Sequence, residues 1–442
     1  MTDPKTRRSR PARRSPAQAD DDGRNVPGFP ARLAAMKLLD AVIRRGESMD
    51  AVAANATRGL APPDRALAIA ISAEVCRHLV DLDALIDSAT AQPLPADVKA
   101  RMALRIALVQ ALVLGTPPHA AIATALPLVS GGPRKLVHGV FGTLIRAEAK
   151  LPAMPTLPED VALRWTAAWG PAMVEGASAA LAAAPPLDLT IKEPARTAEW
   201  AERLGGVSMI PGHVRLPRGG DVTRLGGFAE GAWWVQDLSA ALPARLLGSG
   251  KGRTVLDIGA APGGKTMQLA AAGWTVTGLD ASERRLDRLS QNLARTGLEA
   301  ECLRGDGRKL PDDREWDAVL LDAPCSATGI FRRHPDVLHR IMPRDIANRA
   351  ELQALMLDAA AGVVKAGGSL VFATCSLEPE EGEGQIDAFL ARQPYWSIDP
   401  IRTDEVPAGV HVAEQGWLRI TPPDLAEAGG VDGFFMARLR LG

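Results

Sequence analysis

Apolar residues recur at helical spacing through the first third of the chain, where Leu33, Met36, Leu39 and Ile43 set the opening stripe. Pro62-Pro63-Asp64 breaks that stripe and opens the next helix, with Asp64 in its first turn. The same period predicts helices over Asp64–Leu79, Ala96–Leu114, Ala120–Leu128 and Lys135–Ala147. No strand pattern intervenes, so residues 29–150 read as an all-α domain of about five helices. Residues 151–240 are punctuated by Pro and Gly. A helical stretch, Glu159–Ala184, ends at Pro185-Pro186, and alternating runs such as Leu187–Ile191 follow. This segment reads as a connector with a small α+β subdomain. From about Leu246 short apolar runs alternate with helical segments. Strands are predicted over Thr254–Ile258, Thr275–Leu279, Ala300–Leu303, Ala318–Leu321, Ser369–Ala373 and Phe434–Leu439. Helices are predicted over Lys265–Ala272, Ser282–Thr296, Pro343–Lys365 and Glu383–Arg392. Alternation of this kind gives residues 241–442 a mostly parallel sheet covered on both faces, with ligands at the carboxyl ends of the strands.

A length of 442 residues leaves room for roughly three domains. The balance of 51 Lys+Arg against 52 Asp+Glu excludes a globally basic coat protein for nucleic acid, but not a local basic patch. Residues 1–28 read as a disordered tail, and residues 1–19 hold six Lys/Arg against one Asp. That tail is either an arm that touches RNA phosphates or a solvated terminus. The four cysteines, Cys76, Cys302, Cys325 and Cys375, form no C-x-x-C pair, which argues against a disulfide scaffold and against a metal site. With no secretory signal, they point to the cytoplasm. The most apolar stretch, Met102 to Val129, is interrupted by Arg105, Gln110, Pro117, Pro118 and His119, so no transmembrane helix is expected.

Two segments carry chemistry. Gly259-Ala260-Ala261-Pro262-Gly263-Gly264-Lys265-Thr266 follows the strand Val255–Ile258 directly, and its small residues let backbone approach a ligand at a helix N-terminus. The run also satisfies the P-loop pattern, through Gly259, Gly264, Lys265 and Thr266. Asp257 inside the strand argues against an ATPase. So does Asp280, an acid closing the next strand about 20 residues on, where it suits a ribose diol. Asp306 after the third strand suits an adenine amino group. Loop, acid and acid in that order favour an adenosine cofactor without a triphosphate, such as S-adenosyl-L-methionine. The second segment is a pair of strand ends, Asp322-Ala-Pro-Cys325-Ser and Thr374-Cys375-Ser. Cytosine C5 is a poor nucleophile. A thiolate added at C6 makes C5 enamine-like, and a second thiol can serve as the acid/base group that releases product. Asp322 is placed to meet the exocyclic amine or N3 of the base. Spacing alone does not order the two cysteines.

On these residues the chain resembles the RsmB/Sun family of RNA cytosine-5 methyltransferases. The resemblance rests on Asp257–Thr266, Leu321–Gly329, Arg332-Arg-His-Pro-Asp336 and Thr374–Leu377, with Val235–Ala240 and Asp432–Phe435. Ala121–Val129 followed by Lys135–Phe141 is similar to the end of a NusB-like RNA-binding domain, with departures from the pattern at Ala125, His138 and Leu189–Lys192. The resemblance implies three folded parts: an all-α NusB-like N-terminal domain, a small α+β connector, and a C-terminal α/β Rossmann-like class I methyltransferase domain. It implies Cys375 as the nucleophile and Cys325 as the product-release group. It places the cofactor on Gly259–Lys265, Asp280 and Asp306, with Asp322 in the active site, and puts Arg332, Arg333 and His334 against RNA. The alternative for those three is a solvated basic turn. The expected partner is small-subunit ribosomal RNA, modified by a monomer with no membrane contact. Two other readings stand beside it: a non-catalytic RNA-binding assembly factor and a P-loop ATPase.

Overall fold

The apolar stripe between Phe29 and Arg146 folds as seven α-helices among the described residues, two more than the periodicity predicts. Met49–Ala56 is a short helix whose N-cap, Ser48, accepts from the Ala51 N–H at 3.3 Å. Leu79–Ser88 follows Pro62–Arg77 after a single non-helical residue, His78. No Gly or Pro marks that break, so the pattern ran the first helix on to Leu79. Leu38, Leu82, Ile106 and Val137, from four of these helices, close one core.

A computed structural model describes residues 26–96, 98–217, 219–310 and 314–442. The basic tail expected over residues 1–28 therefore lies outside the described residues as far as residue 25. The chain divides into two units, Met1–Leu151 and Pro152–Gly442. The segment expected as a connector belongs to the same unit as the large sheet. Among the described residues no helix is long and apolar enough to cross a membrane.

In the second unit the predicted helix Glu159–Ala184 is two helices, Glu159–Trp169 and Pro171–Ala182. Gly170 between them has φ +82°, a conformation L side chains rarely adopt, and Pro171 starts the second helix. Three short strands follow: β1 (Leu187–Ile191), β2 (His213–Leu216) and β3 (Trp233–Val235). They form an antiparallel sheet in the order β2-β1-β3. The large sheet comprises β4 (Thr254–Ile258), β5 (Thr275–Asp280), β6 (Glu301–Arg304), β7 (Trp316–Asp322), β8 (Val364–Thr374), β9 (Trp396–Ile398), β10 (Leu418–Ile420) and β11 (Phe434–Leu441). Its order is β10-β11-β8-β7-β4-β5-β6, with β9 on β11. Strands β4 to β8 pair in parallel, and β9, β10 and β11 add on antiparallel. The helix expected over Pro343–Lys365 stops at Ala361, because β8 begins at Val364 and claims the next residues for the sheet.

Strand order explains where ligands go. The chain runs from β4 outward to β6, then returns to the other side of β4 as β7. The connections after β4 and β7 leave in opposite directions, which opens a crevice at their carboxyl ends. Apolar side chains fill both faces of the sheet: Val255, Leu320 and Val371 on one, Leu256, Val319 and Phe372 on the other.

The small sheet is pinned by buried charge. Arg215 on β2 donates from two nitrogens to Asp188 on β1, at 2.6 and 2.7 Å, and the Leu238 N–H adds a bond at 3.2 Å. Burial alone would raise the Asp188 carboxyl, but Arg215 and His213 hold it well below the usual carboxylate range. Asp188→Asn strips a guanidinium that is only 4% exposed of its counter-charge. We expect a loss of about 3 kcal/mol at neutral pH, read by urea or thermal unfolding. The folded carboxyl titrates below the unfolded one, so this stability is full above about pH 4 and fades as the pH falls further. The gap between wild type and variant should narrow in acid.

Candidate active site

The crevice holds the residues singled out in the sequence. Gly259 leaves β4 at φ +85°, and a Cβ there would lie 2.4 Å from the Asp322 carbonyl oxygen at the end of β7. Only glycine lets these two strand ends come so close. A cavity of about 590 Å³ opens beside them and is lined by Gly259, Asp280, Asp306, Asp322, Cys325 and Cys375. On the other side of the loop a second hollow, about 360 Å³, is lined by Ala260, Ala261, Pro262, Gly264, Lys265 and Trp234. A larger groove, about 890 Å³, lies at the opposite ends of the strands around Trp274 and Trp316 and contains none of these residues.

Asp280 ends β5, with its carboxylate accepting from the Ser282 N–H at 2.9 Å and the Ala261 N–H at 3.3 Å. It thus ties the glycine-rich loop to the start of the helix Glu283–Thr296. Arg285 pairs with it at 3.1 Å. Asp306 is half exposed and chelates Arg308, the chief reason its carboxyl falls to about 2. Gly263, at φ +113°, has room only because it lacks a side chain, since Leu289 would meet a Cβ at 2.5 Å. The loop is therefore a tight, mostly buried backbone turn with acids at the next two strand ends, an arrangement that fits an adenosine ligand.

Electrostatics separate this loop from a phosphate cradle. Thr266, which a P-loop would turn toward magnesium, is fully buried and donates to Asp257 at 2.6 Å. Burial pushes the Asp257 carboxyl up to about 7. Lys265 turns away from the loop and pairs with Asp322 at 2.7 Å. Burial works against its charge, but Asp322 more than compensates and holds the ammonium above its ordinary range. Lys265 also lies near enough to Cys375 for their charges to interact, and sits 5.4 Å from the centre of the Phe434 ring.

The two thiols meet. Cys325 Sγ and Cys375 Sγ are 3.5 Å apart, close enough to share a proton. That contact, with burial second, raises the Cys325 thiol well above its usual value. The turn carrying Cys375 is held from behind by a feature the sequence did not disclose. Trp165 and Trp169, on the helix Glu159–Trp169, donate to the Glu378 carboxylate at 3.1 Å and the Leu377 carbonyl at 2.8 Å. Glu378 and Glu381 belong to the acidic run that follows Cys375, and both are buried. Only their place just after a cysteine at a strand end could have marked them.

One expectation is corrected. Arg332 and Arg333 do not present a basic surface. Arg332 is 3% exposed and pairs with Asp432 at 3.1 Å. Arg333 bridges Asp432 at 3.1 Å and Asp237 at 2.7 Å, and donates to the Pro186 carbonyl. Buried or partly buried guanidinia need such partners, and these arginines tie three distant segments together. His334 is half-buried beside them.

Fold and site define a Rossmann-like methyltransferase with an adenosine cleft and a thiol pair at its mouth. Comparison with known proteins sharpens the class. Residues 244–440 match the model of the 16S rRNA methyltransferase RsmB/F family, and residues 30–142 match the NusB family. The chain is 34% identical to the ribosomal RNA small subunit methyltransferase B of Klebsiella pneumoniae subsp. pneumoniae, over 92% of this chain and 97% of that one. It is equally similar to the protein of that name from Salmonella arizonae, over 92% and 98%. In fold it resembles the crystal structure of PH0851, with TM-score 0.72, 22% identity, and coverage of 94% and 99% of the two chains. NSun6 from Pyrococcus horikoshii, solved with SFG, has TM-score 0.57 at 18% identity over 65% and 98%. The chain belongs to the RsmB family of S-adenosyl-L-methionine-dependent RNA methyltransferases.

The correction can be measured. If Arg332 touched RNA, its removal would flatten the dependence of log affinity on log salt by about one phosphate contact. We expect Arg332→Ala to leave that slope unchanged while unfolding stability falls by about 3 kcal/mol, since Asp432 loses a buried partner.

Proposed function

We propose that this chain methylates C5 of a cytosine in small-subunit ribosomal RNA, with Cys375 as nucleophile and Cys325 as the group that releases product. The observation that carries the reading is the 3.5 Å approach of two thiols at the carboxyl ends of β7 and β8, beside an acid-lined cleft. Its named relatives act on small-subunit ribosomal RNA, and the chain spans 97% of the first of them. We further propose that it works as a monomer, away from membranes, in the cytoplasm, where its four free cysteines stay reduced.

Gly259 to Lys265, Asp280 and Asp306 are the residues assigned to the cofactor. Bound there, S-adenosyl-L-methionine supplies an electrophilic methyl group. The protein's own residues prepare the base. Asp322, at the end of β7, is assigned to the N3–N4 edge of the cytosine. Cys375 adds as thiolate to C6, its electron pair forming the C6–sulfur bond, and the C5=C6 π pair shifts onto C5, which becomes the nucleophilic carbon. The ammonium of Lys265 is the nearby cation that favours the anionic sulfur. Once C5 carries its new substituent it must lose its proton, and the C6–sulfur bond breaks to restore the thiolate and the aromatic ring. Cys325, beside Cys375, is assigned as the base for that proton: its resting thiol first gives up its own proton, and the thiolate then takes the one from C5.

An assay of trapped RNA tests these roles. With ribosomal RNA and S-adenosyl-L-methionine, Cys325→Ala should accumulate a protein–RNA adduct on a denaturing gel. The Cys325→Ala/Cys375→Ala double variant should show none. An adduct that persists in the double variant, or Cys375→Ala turning over at the wild-type rate, would refute the assignment. Asp280→Ala should weaken cofactor binding by about 1–3 kcal/mol, as when a buried hydrogen-bond partner is lost. Calorimetric titration with S-adenosylhomocysteine reads this directly.

A further inference from the structure

Behind the two thiols lies a buried carboxylate with no part in the chemistry above. Glu381 closes the one-turn helix Pro379–Glu381 and is fully buried. The Ser326 N–H donates to it at 2.8 Å, the Ser376 hydroxyl at 2.6 Å and the Gln353 amide at 3.0 Å, and the Ser326 hydroxyl also donates. Four donors on two oxygens suit an ionised carboxylate, and none of the four is a cation. Burying a charge on neutral donors alone is costly, so the arrangement calls for a reason.

The identity of the donors supplies one. Ser326 follows Cys325, and Ser376 follows Cys375. Gln353, while bonding Glu381, also donates to the Pro324 carbonyl at 3.1 Å, on the other flank of Cys325. The Thr374 hydroxyl, on the other flank of Cys375, donates to the Glu381 main-chain carbonyl at 3.0 Å. One residue is thus bonded, directly or through Gln353, to both neighbours of both cysteines. The two serine hydroxyls lie 3.1 Å apart across it.

We propose that Glu381 is a positioning residue for methyl transfer: its carboxylate clasps the turns that carry Cys325 and Cys375 and so sets the distance between the two thiols. The proposal rests on the paired-thiol reading above. Glu381 touches neither thiol. It acts through Ser326 and Ser376, and a shift of about 1 Å between reacting groups is enough to cost a hundredfold in rate. Burial raises the Glu381 carboxyl above its ordinary value, and the hydrogen bonds from Ser326, Ser376 and Gln353 work against that rise.

The test uses the full-length chain with Glu381→Ala and Glu381→Gln. Glutamine keeps the size but offers one acceptor oxygen, so its amide cannot take the Ser326 N–H and both hydroxyls in the same way. The first readout needs no RNA. Diamide couples two neighbouring thiols into a disulfide and is itself reduced to the hydrazine, and mass spectrometry follows the Cys325–Cys375 link. We expect coupling about tenfold slower in Glu381→Ala, with Glu381→Gln in between. The second readout is steady-state methyl transfer to ribosomal RNA. There we expect kcat to fall about tenfold or more, with KM for RNA and Kd for S-adenosylhomocysteine within about twofold of wild type. If Glu381→Ala does not fold, Glu381→Gln decides alone. A glutamine variant matching wild type in both coupling rate and kcat overturns the proposal. So does a cofactor Kd that rises as far as kcat falls, which would make Glu381 a general support of the cleft. Slowed coupling in an enzyme whose wild type transfers no methyl group would overturn the methyltransferase reading and leave the clasp standing.

Discussion

The approach of two strand ends governs this site. Gly259 after β4 and Asp322 at the end of β7 lie so close that a single methyl group on the former would strike the backbone of the latter. They are neighbours in the sheet because the chain reverses its direction of travel between β6 and β7. That reversal opens the crevice, and the glycine lets its walls be backbone. The acids Asp280 and Asp306 then line the crevice at and beyond the ends of β5 and β6, and Asp322 and the two cysteines line the same crevice at the ends of β7 and β8.

The charge in this crevice is arranged in pairs with distinct duties. Lys265 belongs by sequence pattern to a phosphate loop, but its ammonium pairs with Asp322. Thr266 of the same pattern is turned inward to Asp257. Three substitutions of environment, with no change in the motif, convert a nucleotide-hydrolysis signature into a methyltransferase one. The strand residue Asp257 takes the threonine, the acid Asp322 takes the lysine, and the acid Asp280 ties down the loop. A motif specifies a backbone shape, and the side chains packed against it decide the chemistry.

Much of this was legible in the chain, because the large sheet is built from short apolar runs separated by turn residues. All six expected strands are present, and β4 has the predicted limits. The loop and both cysteines lie where strand ends had to put them. The failures have physical causes. His78 interrupts two helices without Gly or Pro, and hydrophobic period does not register a one-residue break. The arginine pair at 332–333 looks like a phosphate grip, but the acids that neutralise it, Asp237 and Asp432, lie about a hundred residues away on either side. Pairing across that distance is set by topology, and nothing local reports it. The burial of Glu378 after Cys375 was opaque for the same reason, since the Trp165 that bonds it lies more than 200 residues upstream.

The arginine pair and the acidic run point the same way. Charged residues beside a catalytic motif are commonly taken as substrate contacts, yet here Arg332, Arg333, Glu378 and Glu381 are all wholly or largely buried. Each closes a bond between the motif and a distant part of the same unit. Two thiols 3.5 Å apart that are to work in concert, as proposed above, tolerate little relative motion. Both cysteines sit on turns, which are the mobile parts of a sheet enzyme unless something fastens them. The charged residues flanking them do the fastening: Glu378 against the tryptophans, the arginines against Asp237 and Asp432, and Glu381 across the two turns.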